Sequence, residues 1–394
     1  MTERLRYVIN GIGIYVAEGS DAIWNAVITA RLQDELDISL TELSEETVEQ
    51  KLLIKPYSIF KDTPVTQGFV TPHHSVYDNG LLMYFSSLKM ALKLEKDTLT
   101  LWIDKDFWPD FQYILQLLFA RRNMVFVHAA GIIIDSKGIL LPSFCGVGKT
   151  TFISEVVKIK RVQILGDDFI LLDNTGNLHP YPRPLGLRYY HKSSFPEYYR
   201  THNIKYRAEF NLWDRGIESI KYIHGGLLHT FFPRYHGGRA KYNLQLNQSS
   251  GSIYRLKQLL HTPGTITDDA KFVSLSLLMG KERIADKKAP LDSIYVLRWY
   301  RGIKDVKVTR TQDVNMVVNY CTGILFHEIY ESLRINFNML AVKGESPSAY
   351  YKSFEDVFQS TFRKSRNILL VDIPENMPAP ALAKELVNLI TTHE

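Results

Sequence analysis

Lys149 and Thr150 follow two closely spaced glycines, Gly146 and Gly148, and the next apolar segment carries two adjacent aspartates, Asp167 and Asp168. Those residue types in that order suit the binding and transfer of phosphate. The glycines let the backbone come close to an anion, and a helix starting near Lys149 turns its unpaired N–H groups towards the same anion. Lys149 adds a mobile positive charge, and Thr150 adds a hydroxyl suited to a magnesium ion. The two aspartates are suited to holding that ion and to acting on a substrate proton.

The elements that must position these groups are legible around them. Ile139 to Leu141 is an apolar run before the turn, and Phe152, Ile153, Val156 and Val157 recur at helical spacing after it. Gly138 to Leu172 therefore reads as strand, glycine turn, helix and a second strand bearing the carboxylates. The full P-loop pattern GxxxxGK[ST] asks for glycine at position 143, where the chain has Ser143. The strand–loop–helix setting thus carries the reading, against the plainer alternative of a glycine-rich turn between core elements. Upstream, Phe111, Ile114, Leu115, Leu118 and Phe119 mark a helix, with Pro109 suited to its first turn. Met124 to Val127 reads as a short strand running into His128, Ala129, Ala130 and Gly131. Ile132–Ile134 and Gly138–Leu141 flank Asp135, Ser136 and Lys137 as a hairpin.

The segments VHAAGIII, SFCGVGKTT and ILGDDFILL, in that order, resemble the kinase domain of HPr kinase/phosphorylase and its relatives. That group shares a nucleotide-binding core with ATP-dependent phosphoenolpyruvate carboxykinase. The resemblance is good over about residues 115 to 190 and loose beyond, and its specificity lies in the ordered combination of histidine, P-loop and Asp-Asp. Ser143 and Cys145 stand where that P-loop usually carries Gly and Ser, and the carboxykinase substrate motifs find no counterpart.

The resemblance implies an α/β chain of mixed α+β character. It would have a P-loop kinase core of the HPr kinase/carboxykinase type and a β-rich N-terminal domain. It implies transfer of the γ-phosphate of ATP to a hydroxyl of a protein, peptide or small-molecule acceptor. Gly146, Val147, Gly148, Lys149, Thr150 and Thr151 would then bind the nucleotide, with Thr150 and Asp168 holding Mg2+. Asp167 would take the acceptor proton, and His128 would orient Asp167 or touch the metal, which makes Asp167, His128 and Lys149 the catalytic set. The stretch HPYPRPLGLR is kept out of a helix or central strand by Pro180, Pro182 and Pro184, so Arg183 and Arg188 could reach the site from an extended loop. Arg183 is the expected phosphate or substrate contact. Two other classes stay open: a non-catalytic nucleotide-binding partner protein, and a bifunctional kinase/phosphorylase that also releases phosphate.

Residues 1 to 105 read as a β-rich accessory domain and 106 to 394 as the P-loop domain. In the first, Arg6 to Ala17 alternates weakly around Gly11 and Gly13, and Ile23 to Leu36 reads as a helix. Met90, Leu92 and Leu94 pair as a hairpin with Leu99, Leu101 and Ile103 across Glu95 to Thr98. His73 and His74 are adjacent, so on a strand they would diverge rather than share a metal. In the second, residues 190 to 288 show no clean period and are taken as the substrate region, with Ala270 to Met279 read as helical. Ser293–Leu297 and Ile368–Ile373 read as strands. Helices are expected from Val314, Val317, Val318, Cys321, Ile324 and Leu325, and from Leu382, Leu386, Leu389 and Ile390, which makes Cys321 a core residue.

Over 394 residues the composition is 45% hydrophobic and 23% charged, that of a folded globular chain. The net charge of +5 is scattered, with Arg363, Lys364 and Arg366 the only visible cluster, so no nucleic-acid surface is expected. Two cysteines cannot make a disulfide framework, and Cys145 lies inside the glycine loop, which implies a reducing compartment. The N-terminus lacks an apolar signal core, and no run approaches the roughly 18 residues of a membrane span. The expectation is a cytoplasmic protein whose partners are ATP and a hydroxyl-bearing acceptor, open to homo-oligomer formation and without a membrane.

Overall fold

A computed structural model describes residues 2–18, 21–36, 48–60, 68–70, 75–77, 82–85, 89–106, 111–159, 161–181, 183–187, 191, 194–201, 271–327, 346–375 and 377–392. His73, His74, Pro109, Pro182, Arg188 and most of the expected substrate region lie outside them. The architecture is mixed α/β with two large mixed sheets. Among the described residues, no helix is long and apolar enough to cross a membrane.

The first sheet has eight strands: β1 (Thr2–Ile9), β2 (Ile12–Glu18), β3 (Gln50–Pro56), β4 (Gly68–Val70), β5 (Ser75–Tyr77), β6 (Leu82–Phe85), β7 (Met90–Leu94) and β8 (Thr98–Ile103). Their order is β1-β2-β3-β8-β7-β6-β5-β4. The β1–β2 hairpin closes on Asn10 and Gly11, both at positive φ (46° and 81°), the two-residue turn whose twist matches that of the strands. The hairpin expected between β7 and β8 is present. Helix α1 (Ala22–Glu35) is capped by Asp21, whose Oδ1 accepts from Trp24 N at 2.9 Å. Trp24, Ile28 and Leu32 are buried, and Trp24 Nε1 donates to Ile103 O at 3.1 Å. A short helix, α2 (Tyr57–Phe60), follows β3.

Helix α3 (Phe111–Ala120) is followed by β9 (Met124–Ile134), β10 (Lys137–Pro142), α4 (Lys149–Val156), β11 (Val162–Gly166), β12 (Phe169–Asp173), β13 (Asn177–His179) and β14 (Leu185–Leu187). After α5 (Pro196–Thr201) come β15 (Lys271–Val273), α6 (Leu275–Met279), β16 (Ala289–Tyr300) and β17 (Lys307–Arg310). A helix over residues 314–327 (α7), then α8 (Pro347–Phe362), β18 (Asn367–Pro374) and α9 (Ala379–Thr392) complete the order. The second sheet runs β10-β9-β12-β13-β16-β18-β17. β10 also pairs with β16 in parallel, so five of its strands close into a ring.

The structure refines several expectations. Residues 124–134 form one continuous strand, buried at every position, not two short runs. A strand covered on both faces has no reason to alternate, and its small residues Ala129, Ala130 and Gly131 hide the continuity. Its hairpin to β10 needs only Asp135 and Ser136, at φ 46° and 66°. Residues 271–279 are a strand and a short helix, not one helix, because Ser274 starts the helix by accepting from Leu277 N. Helix α8, which the periodicity reading passed over, buries Phe354, Val357, Phe358 and Phe362.

The chain has two compact units. One comprises Met1–Leu185 with Val273–Glu394, and the other is Gly186–Phe272. In the first, a single core cluster runs from Ile14 and Leu101 through Phe111, Leu118 and Phe126 to Ile170, Ile294 and Phe358. α3 makes this possible by being apolar nearly all round, so it is buried on several faces at once. Its most deeply buried amide, Gln116, is satisfied by β9: Nε2 donates to Met124 O (3.2 Å) and Oε1 accepts from Phe126 N (2.8 Å).

Below β12, Asp173 organises the turn into β13. Its carboxylate accepts from Thr175 N and Oγ1, from Asn177 N and from His179 Nε2 at 2.7–2.9 Å. Burial alone would raise its pKa, but the hydrogen bonds from His179, Thr175 and Asn177 outweigh it and hold the carboxyl well below the usual range. Burial lowers the pKa of His179, so at neutral pH the contact is a neutral imidazole N–H donating to a carboxylate. Because the folded pKa of Asp173 is depressed, its stabilisation is full at neutral pH and is lost as pH falls through and below the ordinary carboxylate range. Asp173→Asn is expected to destabilise by about 2 kcal/mol at pH 7 and to show a smaller further loss on acidification than the parent. Urea melts at neutral and acid pH test this, and parallel curves for the two proteins would refute it.

Candidate functional site

The glycine loop, residues 143–148, joins β10 to α4. Gly146 and Gly148 both have positive φ (82° and 105°), a backbone region in which a side chain is strained. Ser143 is not in that region, so glycine is not required there. The hydroxyl is used instead: Lys149 Nζ lies 3.2 Å from Ser143 Oγ, from Ser143 O and from Phe144 O. Lys149 is thereby held, almost fully buried, across the loop it follows. Val147 is buried beneath the loop and Thr151 is buried on α4, whereas Phe144 and Cys145 are exposed. The helix is held in place by α9, whose Ala379 and Leu382 lie 3.6 Å from where a Cβ on Gly148 would stand.

The two aspartates occupy the break between β11 and β12, both of which pair with β9. Gly166 allows that break, since a Cβ there would meet Phe169 O at 2.8 Å. The chain bends at both residues, and the two side chains divide. Asp167 is buried and Asp168 is half-exposed, with 47% of its side chain open to solvent.

Thr150 Oγ1 donates to Asp167 Oδ2 at 2.6 Å. The hydroxyl expected to share a metal with Asp168 is therefore engaged with its neighbour. Asp167 Oδ1 is buried with no hydrogen-bond partner among the described residues. Burial, and next the Asp168 carboxylate, push the Asp167 carboxyl up to about 7, against the opposing pull of Thr150, Lys149 and Arg183.

Around Asp168, Arg183 Nη1 lies 3.7 Å from Oδ2 and His128 Nε2 lies 4.0 Å from Oδ1. The guanidinium of Arg183 also sits over the Phe169 ring at 5.3 Å, which fixes its direction, and its Nε is buried without a partner. His128 Nδ1 is 2.7 Å from Ser143 O, tying the β9 histidine to the base of the loop. His128 thus has Asp168 facing its Nε2 and the loop carbonyl facing its Nδ1.

The structure brings together His128, the loop, Lys149, Thr150, Asp167, Asp168 and Arg183. Among the described residues there is no group of three or more His, Cys, Asp or Glu placed to hold a metal. A magnesium ion does not need one, because it binds through one or two carboxylates with water and substrate phosphates supplying the rest. The hard oxygens of Thr150 and Asp167, one of them buried and unpartnered, fit such an ion.

Residue-by-residue reading missed the aromatic wall beside the loop. Trp299, Tyr300 and Tyr320 line a cavity with Phe144, Val147 and Arg298. The available signal was the end of β16, where an apolar run closes on the exposed pair Trp299-Tyr300.

The site defines a glycine-loop α/β protein with a lysine, a hydroxyl and two carboxylates converging on one loop. Compared with known proteins, the chain matches no family model and no curated protein.

Proposed function

We propose that the chain is an ATP-dependent phosphotransferase with a P-loop kinase core of the HPr kinase/carboxykinase type, moving the γ-phosphoryl group of Mg-ATP to an acceptor hydroxyl. The observation that carries this reading is the 2.6 Å contact between Thr150 and Asp167 at the helix start, with Lys149 held over the same loop. It joins the two halves of a phosphate-and-metal site across a break in sequence that neither half predicts alone.

In this reading the loop amides and Lys149 hold the β- and γ-phosphates. Thr150 and Asp167 hold magnesium, which when bound supplies charge neutralisation at those phosphates. Arg183, aimed by Phe169, adds positive charge where the transferred group passes.

The geometry favours exchanging the carboxylate roles that the resemblance implies. A pKa near 7 would suit Asp167 as a general base, but a base must reach the acceptor within about 2.6–3.2 Å, and Asp167 is buried and bonded to Thr150. A divalent cation beside Asp167 would also draw that pKa down. Asp168 is open to an incoming hydroxyl and has His128 and Arg183 facing it. Asp168 is therefore the proton acceptor, and His128 and Arg183 position it.

Magnesium-dependent transfer of label from γ-labelled ATP into cell-extract products, identified by mass spectrometry, tests the proposal. Binding of Mg-ATP with no transfer to any acceptor would instead favour a nucleotide-binding partner protein. Absence of ATP binding would end the reading altogether.

A further inference from the structure

We propose that the cavity beside the glycine loop is the nucleobase site for the nucleotide held there, and that it stacks the base without selecting which base it is. This deepens the phosphotransferase reading and rests on it.

The cavity is about 400 Å³ and is lined by Phe144, Val147, Arg298, Trp299, Tyr300 and Tyr320. That is within the range of about 300–1,000 Å³ usual for small-molecule sites. It is continuous with the phosphate loop, because Phe144 and Val147 belong to that loop. The Trp299 ring comes within 3.8 Å of where a Cβ on Gly146 would lie. A nucleotide with its phosphates on the loop amides thus has an aromatic wall within reach of its base.

The aromatic faces are in water rather than spent on the core. Phe144, Trp299 and Tyr300 are 38%, 51% and 45% exposed, whereas most other large apolar side chains among the described residues are buried. Phe144 is held edge-on by Tyr320 and His327, with ring centroids 5.8 and 5.6 Å away, so its orientation is set in advance.

Two polar groups of the wall, Arg298 and Tyr320, are by contrast already engaged. Arg298 Nε donates to Asp372 Oδ1 at 2.7 Å while its guanidinium lies 5.3 Å from the Tyr300 ring centre, and Tyr320 OH donates to Leu297 O at 2.8 Å. Stacking on π-faces tolerates any base, and with Arg298 and Tyr320 engaged two of the wall's polar groups are kept from reading base edges. Strong base discrimination needs hydrogen-bonding groups that the wrong base leaves unpaired.

The test is calorimetric titration of the full chain and of Trp299→Ala and Trp299→Phe with Mg-ATP, Mg-GTP and magnesium tripolyphosphate. Trp299→Ala is expected to weaken both nucleotides about 5- to 100-fold, the usual worth of one stacked base, and to leave tripolyphosphate binding unchanged. Trp299→Phe should retain most nucleotide affinity, and the parent should bind ATP and GTP about equally. If Trp299→Ala binds ATP like the parent, the base lies elsewhere although the loop reading stands. A parent that strongly prefers one nucleotide would overturn the non-selective site. A parent that binds neither nucleotides nor tripolyphosphate would instead remove the phosphotransferase reading itself.

Discussion

Asp168→Asn is expected to lower phosphoryl transfer by about 10²–10⁴-fold, the usual worth of a general base, while Mg-ATP binding stays close to that of the parent. Asparagine keeps the shape and the neighbours of the side chain but cannot take a proton. Asp167→Asn should behave differently. It removes the charged oxygen beside Thr150, so the magnesium dependence of ATP binding should weaken first, with turnover falling as a consequence. It should also raise the melting temperature, because a carboxyl whose folded pKa is raised by burial opposes folding as pH rises from the ordinary carboxylate range to neutrality. The pair of variants therefore separates the two roles by three readouts: turnover, metal dependence and thermal stability. If Asp168→Asn turns over normally while Asp167→Asn binds Mg-ATP normally and is inactive, the roles are those the family resemblance implies.

Lys149→Ala is expected to weaken Mg-ATP binding by about 10- to 100-fold, the range for losing a charge-assisted contact of about 1.5–3 kcal/mol. In the proposed reading turnover should fall further, since negative charge builds on the leaving β-phosphate as the phosphoryl group departs and Lys149 would lie beside it. The variant also leaves three oxygens of Ser143 and Phe144 without their ammonium donor, so a modest fall in melting temperature should accompany it. Ser143→Gly separates the two effects. It removes only the hydroxyl contact and leaves both carbonyl acceptors, so it should keep most ATP affinity. Unchanged ATP affinity in Lys149→Ala would mean that the loop does not hold phosphate.

How far the chain could be read in advance follows the range of the forces involved. Gly146 and Gly148 mark a tight loop because of local sterics, and the structure places both at positive φ. The helix after Lys149, the β7–β8 hairpin, α1 and the α7 stripe that buries Cys321 were all legible from the period of their apolar residues. Each depends on neighbours a few positions away. Periodicity failed where burial is not one-sided. β9 is covered on both faces and α3 on several, so neither the continuous strand nor the shared core shows in an alternation pattern.

Local sequence holds the inventory: a glycine loop with its lysine and hydroxyl, two carboxylates at the end of the following strand, a histidine on the preceding one and an arginine on a proline-rich stretch. Tertiary structure decided how these meet. Spacing alone gives Thr150 no preference between adjacent aspartates; the break at Gly166, set by pairing of β11 and β12 with β9, turns Asp167 inward to Thr150 and Asp168 outward to His128 and Arg183. The aromatic cavity needs Phe144 to meet Trp299 and Tyr320, which happens because β16 runs parallel to β10 and so ends at the same edge of the sheet as the loop. A strand pairing between residues so far apart in the chain is fixed by the packing of the whole core, and no local pattern of residues encodes it.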